Sequence, residues 1–133
     1  MRFLRFVPVF LIALSTVVNG QEQTKIPAGI SISFKAGNAT ELAKYMNPTI
    51  ELLILEKEDF YKKNVAEAIL KDFFRDYPTK DFTVRHQGAK SDALYAIGNL
   101  KTDKGDFRVY FLLKKVGDEL LIHTIRIEAD NEN

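Results

Sequence analysis

The chain has 133 residues, with 19 basic against 18 acidic side chains, two histidines, no cysteine and no tryptophan. That is one small domain's worth of sequence. The near-neutral balance provides no basic stripe for a phosphate backbone and no basic segment interleaved with aromatics, so nucleic acid is not an expected partner. Without cysteine there can be no disulfide, thiolate zinc site, cysteine nucleophile or cysteine-linked lipid.

Residues 1–20 are unlike the rest. Arg2 and Arg5 make a short positive segment, Phe6 to Leu14 is apolar apart from Pro8, and Val18-Asn19-Gly20 ends on a small residue. This is the pattern of a cleavable secretory signal, with the cut expected after Gly20. An uncleaved membrane anchor is the alternative, but the apolar run of about 13 residues is interrupted by Ser15 and Thr16 and falls short of the roughly 20 that a spanning helix needs. Both arginines leave with the signal, so residues 21–133 carry a net charge of about −1, and no stable membrane anchor is expected to remain. An exported domain without cysteine does not rely on oxidative folding, which suits a periplasmic or secreted bacterial protein. The expected organisation is a signal peptide over 1–20 and a single domain over 21–133.

In chain order, Pro27 stands at a first helical position, Ile30 and Phe34 share a face, and Gly37 is a stop, which predicts a helix over Pro27–Ala36. Asn38 followed by Glu41 is a cap-and-acid pair, and Leu42, Tyr45 and Met46 at helical spacing predict a second helix over Ala39–Met46, ended by Asn47-Pro48. Asn38-Ala39-Thr40 also matches a glycosylation acceptor, but the cap accounts for Asn38 without it. Thr49 to Leu55 has strand composition and is closed by the charged cluster Glu56 to Asp59. Asn64 with Glu67 repeats the cap pattern, and Ala66, Ile69, Leu70, Phe73, Phe74 and Tyr77 trace the stripe of the main helix up to Pro78. The rest reads as strand: Phe82–His86, Ala93–Thr102, Phe107–Val116 and Leu120–Ala129, with turns at Lys104-Gly105 and Gly117-Asp118. The order α-α-β-α-β-β-β-β implies an α+β domain of about five strands with helices on one face.

Turns set register. Pairing Thr102 with Phe107 and Val116 with Glu119 places Ala96, Gly98, Leu100, Val109, Phe111, Leu113, Ile122, Thr124 and Arg126 on one face, toward the helices. The opposite face carries Tyr95, Ile97, Tyr110, Leu112, His123, Ile125 and Ile127 among polar residues. That mixture is too apolar for simple exposure and marks Tyr95, Ile97, Tyr110, Leu112, His123 and Ile125 as a candidate homodimer face.

The short helical pair and the strands Tyr95-Ala96-Ile97-Gly98 and Phe107-Arg108-Val109-Tyr110-Phe111-Leu112-Leu113-Lys114-Lys115 resemble a family of short exported Bacteroidota proteins catalogued as a domain of unknown function. The family's fold is nuclear-transport-factor-two-like and cystatin-like. The resemblance implies a curved antiparallel sheet forming a cone closed by three helices on its concave face, a pocket inside the cone, and dimerisation through the outer sheet face. It implies no catalytic set.

If the cone holds a pocket, Phe34, Tyr45, Phe73 and Phe111 are candidates to line it, although at such spacings they are first of all core. Asp59 and Tyr61 would stand at its rim as acid and phenol, unless Asp59 is a turn carboxylate. His86 shares strand parity with Phe82 and Val84 and is expected to point inward. Arg126 is the one charged residue placed on the apolar face, where it could meet an anion or pair with Glu51 or Glu58. His86 and His123 fall on opposite faces, and there is no His-Glu-x-x-His pattern or carboxylate cluster at ligand spacing, so neither metal nor cofactor is expected. No serine lies in a Gly-x-Ser-x-Gly setting, and the lysines at 57, 62 and 63 are balanced by Glu56, Glu58 and Asp59. The reading that follows is an exported, non-enzymatic binding or scaffold domain, homodimeric, with an apolar small molecule or an envelope protein as partner. The alternative is a cofactor-independent lyase or isomerase, with His86 or Asp59 as base and Tyr61 or Arg126 as electrophile.

Overall fold

The structure, a computed structural model, describes residues 25–130. The expected signal segment therefore lies outside the described residues. The helices are α1 (Ala28–Ala36), α2 (Ala39–Ala43) and α3 (Lys63–Asp76). The strands are β1 (Met46–Ile54), β2 (Lys57–Lys62), β3 (Thr79–Lys90), β4 (Ala93–Thr102), β5 (Gly105–Val116) and β6 (Glu119–Ala129). They form one open sheet in the order β2-β1-β6-β5-β4-β3, in which β1 runs parallel to β6 and every other pair is antiparallel.

Local chemistry explains the helix ends. Gly37 takes the left-handed conformation (φ 64°) and its N–H donates to the Phe34 carbonyl, while Asn38 N–H donates to Ser33, closing α1. The Asn38 side chain accepts from Glu41 N–H at 3.0 Å and opens α2. α2 is shorter than its apolar spacing suggests, because Met46 already belongs to β1. Asn64 is not the cap of α3; the cap lies two residues earlier, at Lys62, with no side-chain bond there. Among the described residues no helix is long and apolar enough to cross a membrane.

The sheet has six strands rather than five. The cluster Glu56 to Asp59 does not end the strand region but turns it: Leu55 adopts a left-handed φ of 62°, and β2 folds back on β1, pairing Ile54 with Lys57 and Thr49 with Lys62. β2 was hidden because its residues are charged and mostly exposed, as befits an edge strand. The β4–β5 turn also differs, with Thr102 opposite Gly105 rather than Phe107. A slip of two residues preserves the alternation, so Ala96, Leu100, Val109, Phe111 and Leu113 are buried beneath the helices as expected.

A slip of one residue reverses it; besides one at the start of β3, between Thr79 and Asp81, two such slips re-aim the residues of interest. In β6 Leu113 faces Ile122 while Leu112 faces Thr124, so His123 is an extra, bulged residue. Beyond it the faces exchange: Ile125 and Ile127 are fully buried in the core instead of lying on the outer face, and Arg126 turns outward, opposite Tyr110. In β3 Val84 faces Gly98 while His86 faces Ile97, which makes Arg85 the extra residue and sends His86 to the outer face.

The interior is a stack of rings. Phe34 of α1 lies against Phe82 of β3 (centroids 4.9 Å apart) and Phe111 of β5 (5.6 Å), with Phe74 of α3 edge-on at 6.4 Å. Phe73 meets Phe107 edge-on at 5.3 Å. Gly98 permits this, because a Cβ there would stand 2.5 Å from Cζ of Phe82 and 2.9 Å from the Thr83 carbonyl oxygen. Since Phe34 touches a second helix and two strands, Phe34→Ala should cost about 3–5 kcal/mol of unfolding free energy. Urea denaturation measures this; a loss below about 1 kcal/mol would show that the stack is not what joins helices to sheet.

Candidate functional site

The residues expected to line one pocket are dispersed over the molecule. Phe34, Phe73 and Phe111 are closed core. Tyr45 is half-buried, its ring laid against Gly29 of α1, and its carbonyl accepts from Ile122 N–H at 2.7 Å. Tyr61 lines a small apolar cavity of about 150 Å³ with Leu52, Ile54, Lys57 and Ile69, between the β1–β2 hairpin and α3. Asp59 is exposed on β2, where its carboxylate accepts the Phe60 N–H at 2.8 Å. It takes no part in that cavity.

Arg126 stands on the outer face, 3.5 Å from Glu58 and 3.9 Å from Glu51. The Glu51 carboxyl is held above its usual range by a hydrogen bond with Glu58, by partial burial and by the Glu58 charge, against the lowering influence of Arg126 and Thr124. Arg126 thus ties β6 to β2 across β1. Its contacts are long and partly exposed, worth little to stability.

The larger concavity lies on the outer face, away from the helices. It is an open cleft of about 950 Å³ that crosses the sheet near one end of the strands. Glu56, Glu128 and Asp130 form the side near β1 and β6, Arg108 and Asn99 lie on the central strands, and Arg85 and His86 form the β3 side. Leu55 and Ile97 supply apolar surface. Arg108 and Glu128 are cross-strand partners 3.9 Å apart. The bulge at Arg85 explains why two successive side chains reach the same cleft, which an unbroken strand would send to opposite faces.

Beside the cleft, sharing Ile97 with it, runs a half-buried strip made of Tyr95, Ile97, Tyr110, Leu112 and His123. The rings of Tyr95 and Tyr110 stack at 6.5 Å, and Tyr95 also fills the space over Gly88. His123 Nε2 is buried there without a hydrogen-bond partner. Burial, with a smaller contribution from the nearby Lys114 ammonium, holds its imidazole below the ordinary value of 6.5. Ile125, expected in this strip, is absent from it because of the bulge. No group of three or more metal-ligating side chains occurs among the described residues.

Most cleft residues escape a reading by strand parity. The β6 bulge did leave a trace, since the core isoleucines at 122, 125 and 127 are spaced by three and then two. Nothing comparable marks Arg85, because no core residue follows Val84 on β3.

An open, mostly antiparallel sheet with three helices on one face is a nuclear-transport-factor-two-like α+β fold. An NTF2-like protein of unknown function from Shewanella baltica superposes with a TM-score of 0.61 at 13% identity, over 79% of this chain and 88% of that one. Residues 27–128 match the model of a domain of unknown function, DUF4783, and the chain belongs to that family. A DUF4783 family protein from Bacteroides ovatus is 40% identical, with a TM-score of 0.78, over 80% of this chain and 97% of that one. Another, from Bacteroides uniformis, is 36% identical, with a TM-score of 0.77, over 81% and 100%. No curated protein matches the chain significantly.

The depressed His123 titration has a stability consequence. A histidine whose folded pKa lies below its unfolded one contributes stability that is present above pH 6.5 and is lost as the pH falls through the folded value. Thermal melts between about pH 5 and pH 8 should therefore show acid destabilisation that His123→Phe reduces. An unchanged pH profile in the variant would place the acid sensitivity elsewhere.

Proposed function

We propose that the protein is an exported, non-enzymatic binding domain that takes its ligand in the cleft on the outer sheet face and pairs with a second copy through the adjoining tyrosine strip. The observation that carries this reading is the exchange of roles between the two sheet faces. The helix-covered interior, where an apolar ligand was expected, is filled around Phe34 by the rings of Phe82, Phe111 and Phe73, whereas the outer face holds an open cleft with polar groups converging from the β1–β2 turn, β3, β4, β5 and the end of β6. A lyase or isomerase working inside the cone would need a base in an apolar pocket. His86 lies on the other side of the sheet, and Asp59 is exposed.

The case for a second copy rests on the strip itself. Stacked tyrosines, Ile97 and Leu112 are half-buried on a face that no helix covers, and the orphaned His123 Nε2 sits among them. Antiparallel stacking of two such faces would set Lys90 and Lys114 toward an end carrying Asp106, Glu128 and Asp130 together with Arg85, Lys101 and Arg108, so the pairing rests on the apolar strip and not on charge. Export to the periplasm or beyond rests on the composition of residues 1–20.

Native mass spectrometry of the protein purified from its source tests these elements together. The expected species is a dimer of chains beginning at Gln21, with a small molecule retained at sub-denaturing energies. Tyr110→Glu should convert it to monomer without unfolding it, because Tyr110 is only half-buried. A monomer at micromolar concentration would overturn the pairing, an unprocessed N-terminus would overturn export by a cleaved signal, and a stoichiometric foreign protein would favour an envelope scaffold instead.

A further inference from the structure

The charges of the cleft are sorted by strand. Glu56 follows β1, and Glu128 and Asp130 belong to the β6 end; Arg85 and His86 stand on β3, three strands away from β6. Between them Arg108 is turned toward Glu128, which it partly neutralises. Neither Arg85 nor Glu56 has an ion-pair partner of its own among the described residues. The cleft therefore has an acidic wall and a basic wall, separated by a floor of Ile97, Gly98 and Asn99.

The separation selects the ligand's length. Neighbouring strands lie about 4.8 Å apart, so the acidic wall, running from β6 to Glu56 beside β1, stands about 14–19 Å from the β3 wall. A free amino acid carries both charges within one residue's length, about 3.3–3.6 Å, and can satisfy one wall only. An extended chain advances about 3.3 Å per residue, so about four to six residues span from wall to wall, four being enough to reach the β6 end.

We propose that the cleft binds a short peptide with both ends free, its ammonium against Glu56 and Asp130 and its carboxylate against Arg85 and His86. Arg85 is the natural seat for the carboxylate, since its planar fork can donate two parallel hydrogen bonds. His86 adds a ring N–H in either protonation state. Asn99 in the middle offers both a donor and an acceptor to the peptide backbone, and Ile97 and Leu55 give apolar surface that does not discriminate between side chains. The assignment predicts recognition by length and termini rather than by residue sequence. It rests on the outer-face cleft being the binding site.

The test uses the purified protein with tetra-alanine, its N-acetylated, C-amidated and doubly blocked forms, and free alanine. Calorimetry gives the affinity and amide NMR signals give the place. Tetra-alanine should shift the signals of Arg85, His86, Asn99, Arg108 and Glu128, and blocking either end should weaken binding at least about tenfold. Alanine should bind at least as weakly as the blocked peptides. Arg85→Gln, an exposed substitution that leaves the core untouched, should abolish the loss caused by amidation while keeping the loss caused by acetylation. If the doubly blocked peptide binds as well as the free one and the same signals move, the charge assignment is overturned while the cleft stands as a binding site. If none of the peptides moves those signals and a different ligand from the source shifts them, the peptide is overturned alone. If the source ligand moves only signals elsewhere, the cleft reading falls as well.

Discussion

The placement of the Phe34 ring governs the rest of the molecule. It joins α1 to β3 and β5 at once, and it can do so because Gly98 leaves room for Phe82 to lie flat against the sheet. Short helices such as α1 and α2 would not persist in water by themselves; α1 takes its geometry from this stack, and α2 from packing against α1 and α3. Filling the interior with rings has a functional consequence. Aromatic groups packed at such distances close the interior around Phe34, leaving a small apolar cavity under α3, and the larger concavity lies on the opposite face.

On that face the two bulges decide what is presented. Each inserts one residue, and each therefore turns a following side chain through the sheet. At Arg85 the insertion adds a cation and brings His86 with it; at His123 it removes Ile125 and Ile127 to the core and brings Arg126 out to Glu51 and Glu58. Bulges weaken the local ladder, so retaining these two is worthwhile when the re-aimed side chains matter. The polar cleft and the tyrosine strip lie on either side of Ile97 and share one continuous surface. The proposed binding and the proposed self-association would thus be neighbouring events rather than separate ones.

The family and fold relationships identify the architecture and assign no role to either sheet face. A fold of this type constrains the interior, where packing is demanding, and leaves the outer face free to vary in charge and contour. The DUF4783 kinship identifies the architecture without assigning a chemistry, and the chemistry has to be argued from the cleft's own residues.

Much of the fold was legible in the chain. Gly37, Asn38 and the stripe from Ala66 to Phe74 announced the helices, and the alternation of β4 and β5 announced their faces even where the turn was misplaced, because a two-residue slip does not alter parity. What local pattern could not show was β2, whose charged residues read as a loop until pairing with β1 satisfies their backbone, and the reversal of faces at Arg85 and His123. Composition and periodicity therefore determined the class of fold, the core of most elements and the absence of thiol chemistry, since these depend on near neighbours in the chain. The site was decided by tertiary structure alone. Its walls come from strands far apart in sequence, and one inserted residue, stabilised only by cross-strand packing, is enough to exchange inside for outside.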